Sequence, residues 1–436
     1  MPPPRVLILC TWFPPVNAPG ARRPYQLARC LADRGWQVSV LTSMPESTTT
    51  PYGDMHGIRV LRAPRTAATH DLNAAQRMLL RAVRANAGEM TNGPLRVLAD
   101  LLLPLRHSLR WDLSPAAVDA ELGAQDIVLA TSPDPAVFDI GSRLARHWNA
   151  AWAADYRDPW NVAIQEVAKD IITHQGTGLA GALRRWRMRR LERRFCGHAD
   201  LMTAVSKAFL ANAEAITGAR GGTVVHGGFD AAQRPASRIP GDHFVLAHTG
   251  QLYPEQPWNA LFNALPLLQR SEPVLAARLR VRFIGPFSTD PALMQELRQV
   301  AGRTGIIELL PTVPPGQAIA AQHDADALLQ LALTGRKGYL PVKFLEYLGA
   351  GRPILLLSKE QDEMEEALIA TCTGSIARDH EELMDLLARH LRAHQEGRPI
   401  AYGPDENALS LFRYDRNMAR WAELLENAWK RRRSTI

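Results

Sequence analysis

The chain has 436 residues, 46% of them hydrophobic and 22% charged, proportions that exclude a disordered or fibrous chain and leave apolar side chain for more than one core. At about 150 residues per domain this length predicts two or three domains. The net charge of +7 lies wholly in residues 1–218, which hold 26 Lys+Arg against 19 Asp+Glu, while residues 219–436 hold 25 of each. Such asymmetry predicts an anionic partner for the first half, either membrane headgroups, a lipid phosphate or nucleic acid. The plainer reading is that surplus arginines serve solubility.

No apolar run approaches the roughly 18 residues a spanning helix needs. Met1-Pro2-Pro3-Pro4 leads into six apolar-rich positions, shorter than the core of a secretory leader. Cys10, Cys30, Cys196 and Cys372 lie far apart with no pair at metal-ligand spacing. These features predict a reduced, cytoplasmic protein without a metal.

The opening reads strand, loop, helix, strand. Arg5–Cys10 is a short apolar run of the kind that fills a buried parallel strand. Thr11–Gly20 is a loop punctuated by Pro14, Pro15, Pro19 and Gly20. Ala21–Arg34 has helical periodicity and stops at Gly35, and Gln37–Thr42 is the next strand. This βαβ unit predicts a doubly wound α/β domain. Further strand-like runs are Ile58–Leu61, Ile127–Ala130, Ala151–Ala154, Leu201–Ala204 and Thr223–Val225. A Leu- and Arg-rich helical stretch from Asn73 to Trp111 is broken at Gly93-Pro94 and Pro104.

Ala231–His243 reads as a linker, after which the βα pattern restarts. The second series has strands at Phe244–Leu246, Arg280–Ile284, Ile306–Leu309, Ala327–Gln330 and Pro353–Leu357, with helices at 257–270, 291–302, 316–322 and 342–350. Ser410–Arg433 reads as one amphipathic helix with Leu411, Trp421, Leu424, Leu425 and Trp429 as its apolar positions. Two parallel sheets joined by a linker predict a cleft at their carboxyl ends, where ligands of such sheets gather.

Several stretches resemble a known family. Trp12-Phe13-Pro14-Pro15 with Gly20 and Arg34-Gly35-Trp36-Gln37-Val38 is similar to the opening of glycosyltransferase family 4. Ala154-Asp155-Tyr156-Arg157-Asp158-Pro159-Trp160, Ala199-Asp200 with Val205-Ser206, Gly228-Phe229-Asp230 and Lys343–Ile354 match in order. The resemblance covers nearly the whole chain. It implies the GT-B fold, two Rossmann-like domains facing across a cleft. Residues 1–235 would bind the acceptor, with helix 412–436 packing back on them, and residues 236–411 would bind a nucleotide-sugar. The implied activity is retaining transfer from a UDP- or GDP-sugar to a glycan or lipid-linked saccharide in polysaccharide biosynthesis, with no cofactor and no metal.

The resemblance also implies roles for residues. Glu346 would accept hydrogen bonds from the nucleotide ribose hydroxyls. The loop Gly335–Pro341 and the helix start after it would offer backbone N–H groups to the diphosphate, with Arg336, Lys337 and Lys343 adding charge. Against this, Lys343 and Glu346 at i,i+3 also suit a surface salt pair. Gly20, Gly250 and Gln251 would line the donor site, since Gly20 permits close backbone approach. Arg22 and Arg23 follow it on the first helix turn, where a solvated helix start is the equal reading. Asp155, Arg157 and Asp158 crowd three charges at a strand end and are the candidate catalytic group; a buried structural ion pair competes with that reading.

The chain departs from the family pattern at three places. Gly338 stands where a first glutamate often precedes Glu346, and Gln251 and Gln256 stand where many members have an Arg and a Lys. Ala130–Pro135 carries no histidine where some members have a catalytic one, and only Asp134 there is titratable. Two alternatives stay open: a non-catalytic nucleotide-sugar-binding partner subunit, and an epimerase or hydrolase of the donor.

Other signals have plain readings. Asp324-Ala325-Asp326 fits a helix-to-strand junction, His390 and His394 an exposed helix face, and Glu360–Glu366 a solvated helix. Arg77, Arg81 and Arg84 form a stripe beside Met78, Leu80 and Val83; Leu101–Trp111 mixes leucines, arginines and a tryptophan; and Arg184–Arg194 packs seven arginines around Trp186. Together they predict peripheral contact of the basic half with the inner membrane face. Without interleaved aromatics or a known module, nucleic-acid binding is not expected.

Overall fold

The computed structural model describes residues 3–16, 18–43, 55, 57–63, 73–85, 98, 102, 115–131, 134–160, 178–231, 241–398, 400 and 402–434. Most of the linker Ala231–His243 and nearly all of Leu101–Trp111 lie outside the described residues. The chain forms two compact units: Met1–Val225 with Met418–Ile436, and His226–Asn417.

The first unit is built on a seven-stranded parallel sheet. Its strands are β1 (Arg5–Cys10), β2 (Gln37–Ser43), β3 (Ile58–Ala63), β4 (Ile127–Thr131), β5 (Ala151–Tyr156), β6 (Leu201–Ala204) and β7 (Thr223–Val224). Their order is β3-β2-β1-β4-β5-β6-β7. The second unit has six parallel strands, β8 (Phe244–Thr249), β9 (Leu279–Ile284), β10 (Ile307–Leu310), β11 (Ala327–Leu331), β12 (Ile354–Leu357) and β13 (Gly374–Ala377), ordered β10-β9-β8-β11-β12-β13. Each is an α/β doubly wound sheet, as the periodicity predicts. The strand order reverses between β1 and β4 in one unit and between β8 and β11 in the other. Loops leaving the carboxyl ends at such a reversal splay to opposite faces and open a crevice.

The second sheet shows why its strands read as continuous apolar runs. Phe244 and Leu246 of β8 enter one core with Leu355 and Leu357 of β12, whereas Val245 and Ala247 enter the other with Ile354 and Leu356. Alternate side chains point to opposite faces, and both faces are covered by helices. Strand β13 is not legible in the sequence, because Gly374-Ser375 carries no apolar alternation. Instead a Cβ on Gly374 would stand 2.0 Å from the Ile354 carbonyl oxygen, so only glycine lets β13 approach β12.

The helix expected over Ser410–Arg433 divides. A short helix, Glu406–Ser410, precedes Tyr414–Ser434. Between them the Phe229 N–H donates to Phe412 O (2.9 Å) and the Tyr414 N–H donates to Phe229 O (3.1 Å), a bridge that takes the backbone out of helical register. From Met418 onward this helix belongs to the first unit, where Trp421, Leu425 and Trp429 are buried.

The first unit is tied together by one buried ion pair. Arg23, on the helix Pro19–Asp33, donates Nε and Nη2 to the two carboxylate oxygens of Asp155 on β5, at 3.0 and 2.8 Å. Thr131 of β4 and Thr203 of β6 each donate a hydroxyl to the same carboxylate at 2.7 Å. Arg23 Nη1 donates to Val225 O at 2.8 Å, and the guanidinium lies 4.2 Å from the Trp421 ring centroid. Arg23 and Asp155 are 3% and 0% exposed, so a charge left alone there is unsolvated. Asp155→Ala is expected to destabilise the first unit by about 3–5 kcal/mol. Urea unfolding checks this; an unchanged midpoint refutes it.

Candidate functional site

At the carboxyl end of the first sheet, the expected three-charge cluster resolves into two separate pairs. Asp155 is spent on Arg23, the buried-ion-pair reading, and Arg23 is not on a solvated helix start. Arg157 pairs instead with its neighbour Asp158, and its guanidinium lies 5.6 Å from the Trp12 ring centroid. Gly20 belongs to this second group. A Cβ on it would lie 2.5 Å from Trp12 Cε3 and 2.8 Å from Arg157 Nη1. The loop after β1 therefore needs glycine so that the Trp12 ring and Arg157 can close over the helix start. Asp134, leaving β4, caps the helix Pro135–Trp148 by accepting from the Ala136 N–H at 3.0 Å. Burial pushes its carboxyl up to about 7, with that hydrogen bond acting in the opposite direction.

In the second unit the strand-order reversal is occupied by a group that sequence reasoning found only in part. His248, at the end of β8 and fully buried, lies with Nδ1 2.9 Å from Leu329 O on β11. A carbonyl only accepts, so Nδ1 carries the hydrogen and Nε2 is left as an acceptor. Lys343 Nζ stands 3.2 Å from that Nε2 and donates to Gln251 O at 2.8 Å. Gly250 lies directly beneath: its φ is +81°, and a Cβ there would be 3.9 Å from Lys343 Nζ. Burial and the Lys343 charge hold the imidazole well below the usual histidine range. Burial also lowers the Lys343 ammonium to about 7, with the Glu346 carboxylate acting against it. Shifted titrations of this kind concentrate where proteins handle charge. The only sequence signal for His248 was a lone imidazole inside an otherwise apolar strand.

Lys343 opens the helix Val342–Gly349, whose N-cap is Pro341 and which has no side-chain cap and no acidic residue in its first turn. Its first N–H groups and partial positive charge form a helix end of the kind that favours negative charge. Glu346 follows one turn on and is half-buried. The loop before this helix differs from expectation. The Gly335 N–H donates to Glu360 Oε1 at 3.0 Å, and the Gly338 N–H donates to both oxygens of Asp362 at 2.9 Å. Those two loop donors are therefore already engaged. Arg336 pairs with Glu255 at 2.7 Å. Lys337 is exposed and pairs with nothing among the described residues.

The two glutamines have distinct places. Gln256 is buried: its Oε1 accepts from the Tyr253 N–H at 2.9 Å and its Nε2 donates to Leu331 O at 3.1 Å. It stitches a turn to β11. Gln251 is exposed, with Oε1 accepting from the Tyr253 hydroxyl at 3.1 Å. The segment 250–257 therefore supplies no cation of its own, and Lys343 Nζ lies against it through Gln251 O.

Among the described residues no group of His, Cys, Asp and Glu has the geometry to hold a metal ion. His390 and His394 do not form the exposed face expected of them; both are half-buried against Phe244, at ring-centroid distances of 6.1 and 5.9 Å. Asp324–Asp326 is the predicted junction, with Asp326 accepting from the Val245 N–H at 2.8 Å.

No family model and no curated protein sequence matches the chain. Solved structures do. The Anabaena HepE protein crystallised with UDP and glucose aligns with a TM-score of 0.59 at 14% identity, over 97% of this chain and 100% of that one. Sucrose-phosphate synthase from Thermosynechococcus elongatus aligns with a TM-score of 0.61 at 14% identity, over 98% and 99%. WaaG, a glycosyltransferase involved in lipopolysaccharide biosynthesis, aligns with a TM-score of 0.54 at 14% identity, over 97% and 98%. The chain thus has the two-domain α/β fold of these GT-B proteins.

Linkage turns the Lys343 shift into a stability measurement. The unfolded lysine keeps its proton up to about 10.5, whereas the folded one releases it near 7. Between these values the unfolded state binds more protons, so this group adds stability as pH rises. Relative to Lys343→Met, the wild type is expected to gain unfolding free energy from pH 7 to pH 10. A pH-independent difference in urea unfolding contradicts this.

Proposed function

We propose that the chain is a retaining glycosyltransferase of the family 4 type, moving a sugar from a nucleotide-sugar donor to a glycan or lipid-linked saccharide. The observation that carries this reading is the uncapped helix start Val342–Gly349 at the strand-order reversal, with Lys343 held over Gly250 and Glu346 one turn on. An anion at that helix start meets backbone N–H groups and the Lys343 amine. A carboxylate one turn further accepts hydrogen bonds from a ribose that follows. The same spacing serves a nucleoside diphosphate, and the HepE crystals hold UDP. The second unit would thus bind the donor, a UDP- or GDP-sugar, and stabilise the leaving diphosphate with N–H groups and one cation. The first unit would present the acceptor. Catalysis in this reading is chiefly positioning and electrostatics, with no metal.

Glu346→Ala is expected to weaken UDP or GDP binding at least tenfold, the scale of two lost charge-assisted hydrogen bonds. The melting temperature should stay unchanged. Calorimetric titration checks this, and equal affinity in variant and wild type removes the assignment.

The reading places the enzyme in the cytoplasm at the inner face of a membrane. Among the described residues no helix is long and apolar enough to cross one. The helix Gly178–Cys196 exposes Arg185, Arg189, Arg190 and Arg194 beside Trp186, which is 57% exposed. Trp186 suits the headgroup layer and the arginines suit lipid phosphates. Arg185→Gln with Arg190→Gln is expected to lower binding to phosphatidylglycerol vesicles about tenfold or more, at roughly 1 kcal/mol per charge. Co-sedimentation at low and high salt checks it. Binding that ignores both the substitutions and the salt rejects this surface.

A further inference from the structure

Lys343 reaches the end of β8, and its side chain is not left to swing. Nζ has two neighbours on different segments, Gln251 O at 2.8 Å and His248 Nε2 at 3.2 Å. His248 in turn is fixed twice over. Its Nδ1 bond to Leu329 O crosses the reversal from β8 to β11. Its ring packs 5.5 Å from the Phe283 ring centroid. The ring cannot turn to offer Nε2 elsewhere without breaking a buried hydrogen bond.

The chemical type of this partner matters. A carboxylate beside Nζ would cancel the charge in a short ion pair and compete with any phosphate. A neutral imidazole nitrogen accepts a hydrogen bond and leaves the charge uncancelled. The charged group bearing on the pair is Glu346, one turn along the helix. Two of the three donor positions of the protonated amine are occupied, which leaves one for a ligand.

We infer that His248 is a positioning residue, whose neutral Nε2 holds the Lys343 amine against the helix start so that one lysine serves the diphosphate where segment 250–257 supplies no cation. This rests on the donor-site reading above and assigns that site a residue outside its phosphate-touching groups. His248 itself touches no ligand; it acts through Lys343.

The test is a double-mutant cycle on nucleotide affinity, with UDP, GDP and ADP tried by calorimetry and the tightest of them used. His248→Phe keeps the ring packing and removes both nitrogens, and His248→Gln restores a donor and an acceptor at similar reach. His248→Phe is expected to weaken binding about tenfold in the wild-type background and less than twofold in the Lys343→Met background, the non-additivity of residues in contact. His248→Gln should recover most of the loss. A general loosening of the fold would lower affinity equally in both backgrounds and would not be rescued, and that result overturns the inference. If His248→Phe lowers the melting temperature too far to read, a His248→Leu cycle, which also removes both nitrogens, decides by the same criterion. Should the wild type bind none of the three nucleotides, the donor-site reading falls and the inference with it. Should Lys343→Met lose affinity while His248→Phe does not, the donor site stands and only the role of His248 is lost.

Discussion

The first unit depends on a charge that has nowhere else to go. Asp155 is wholly enclosed, and its carboxylate is held by Arg23 and by hydroxyls from the strands on either side. Arg23 adds the Val225 carbonyl and the Trp421 ring. One group thereby joins the first helix, β4, β5, β6, the end of the sheet and the C-terminal helix. Replacing such a pair by apolar residues need not cost stability, but removing one partner strands the other in a medium that cannot solvate it. The pair specifies which elements meet, and the neighbouring loop and Arg157–Asp158 rest on that frame.

The second unit solves a related problem in a different way. Its reversal point brings β8 and β11 side by side, and a histidine from one strand grips the carbonyl of the other. The lysine beyond it is kept half-buried, which lowers its proton affinity toward neutrality. Desolvation of an ammonium group is costly in isolation, and an arriving anion offsets it. The two glycines of the preceding loop, Gly335 and Gly338, are meanwhile held by acidic side chains.

The fold class was legible because parallel strands covered on both faces must be continuous apolar runs, and Arg5–Cys10, Ile127–Thr131 and Phe244–Thr249 are such runs. The segments that escaped were those whose shape comes from neighbours. β13 exists because Gly374 fits under Ile354, and the C-terminal helix breaks because Phe229 bridges its backbone. Site residues followed the same division. Lys343 and Glu346 were visible from their resemblance to a family pattern. His248 was not, since its role needs a strand 81 residues away. Arg23 and Asp155, 132 residues apart, were singled out separately but not as a pair.

By itself the sequence determined two doubly wound sheets, the strand and helix alternation within each, and the basic character of the first half. These follow from local periodicity and composition, which the chain carries at every position. Tertiary structure alone decided which charges are buried and what each of them is paired with. In the sequence Asp155 and Lys343 are simply two charged residues, yet in the fold one is enclosed by an arginine and two hydroxyls and the other contacts a carbonyl oxygen and an imidazole nitrogen. That distinction is a matter of which atoms stand within about 3 Å and how much water they exclude, and it arises only when distant segments are packed together.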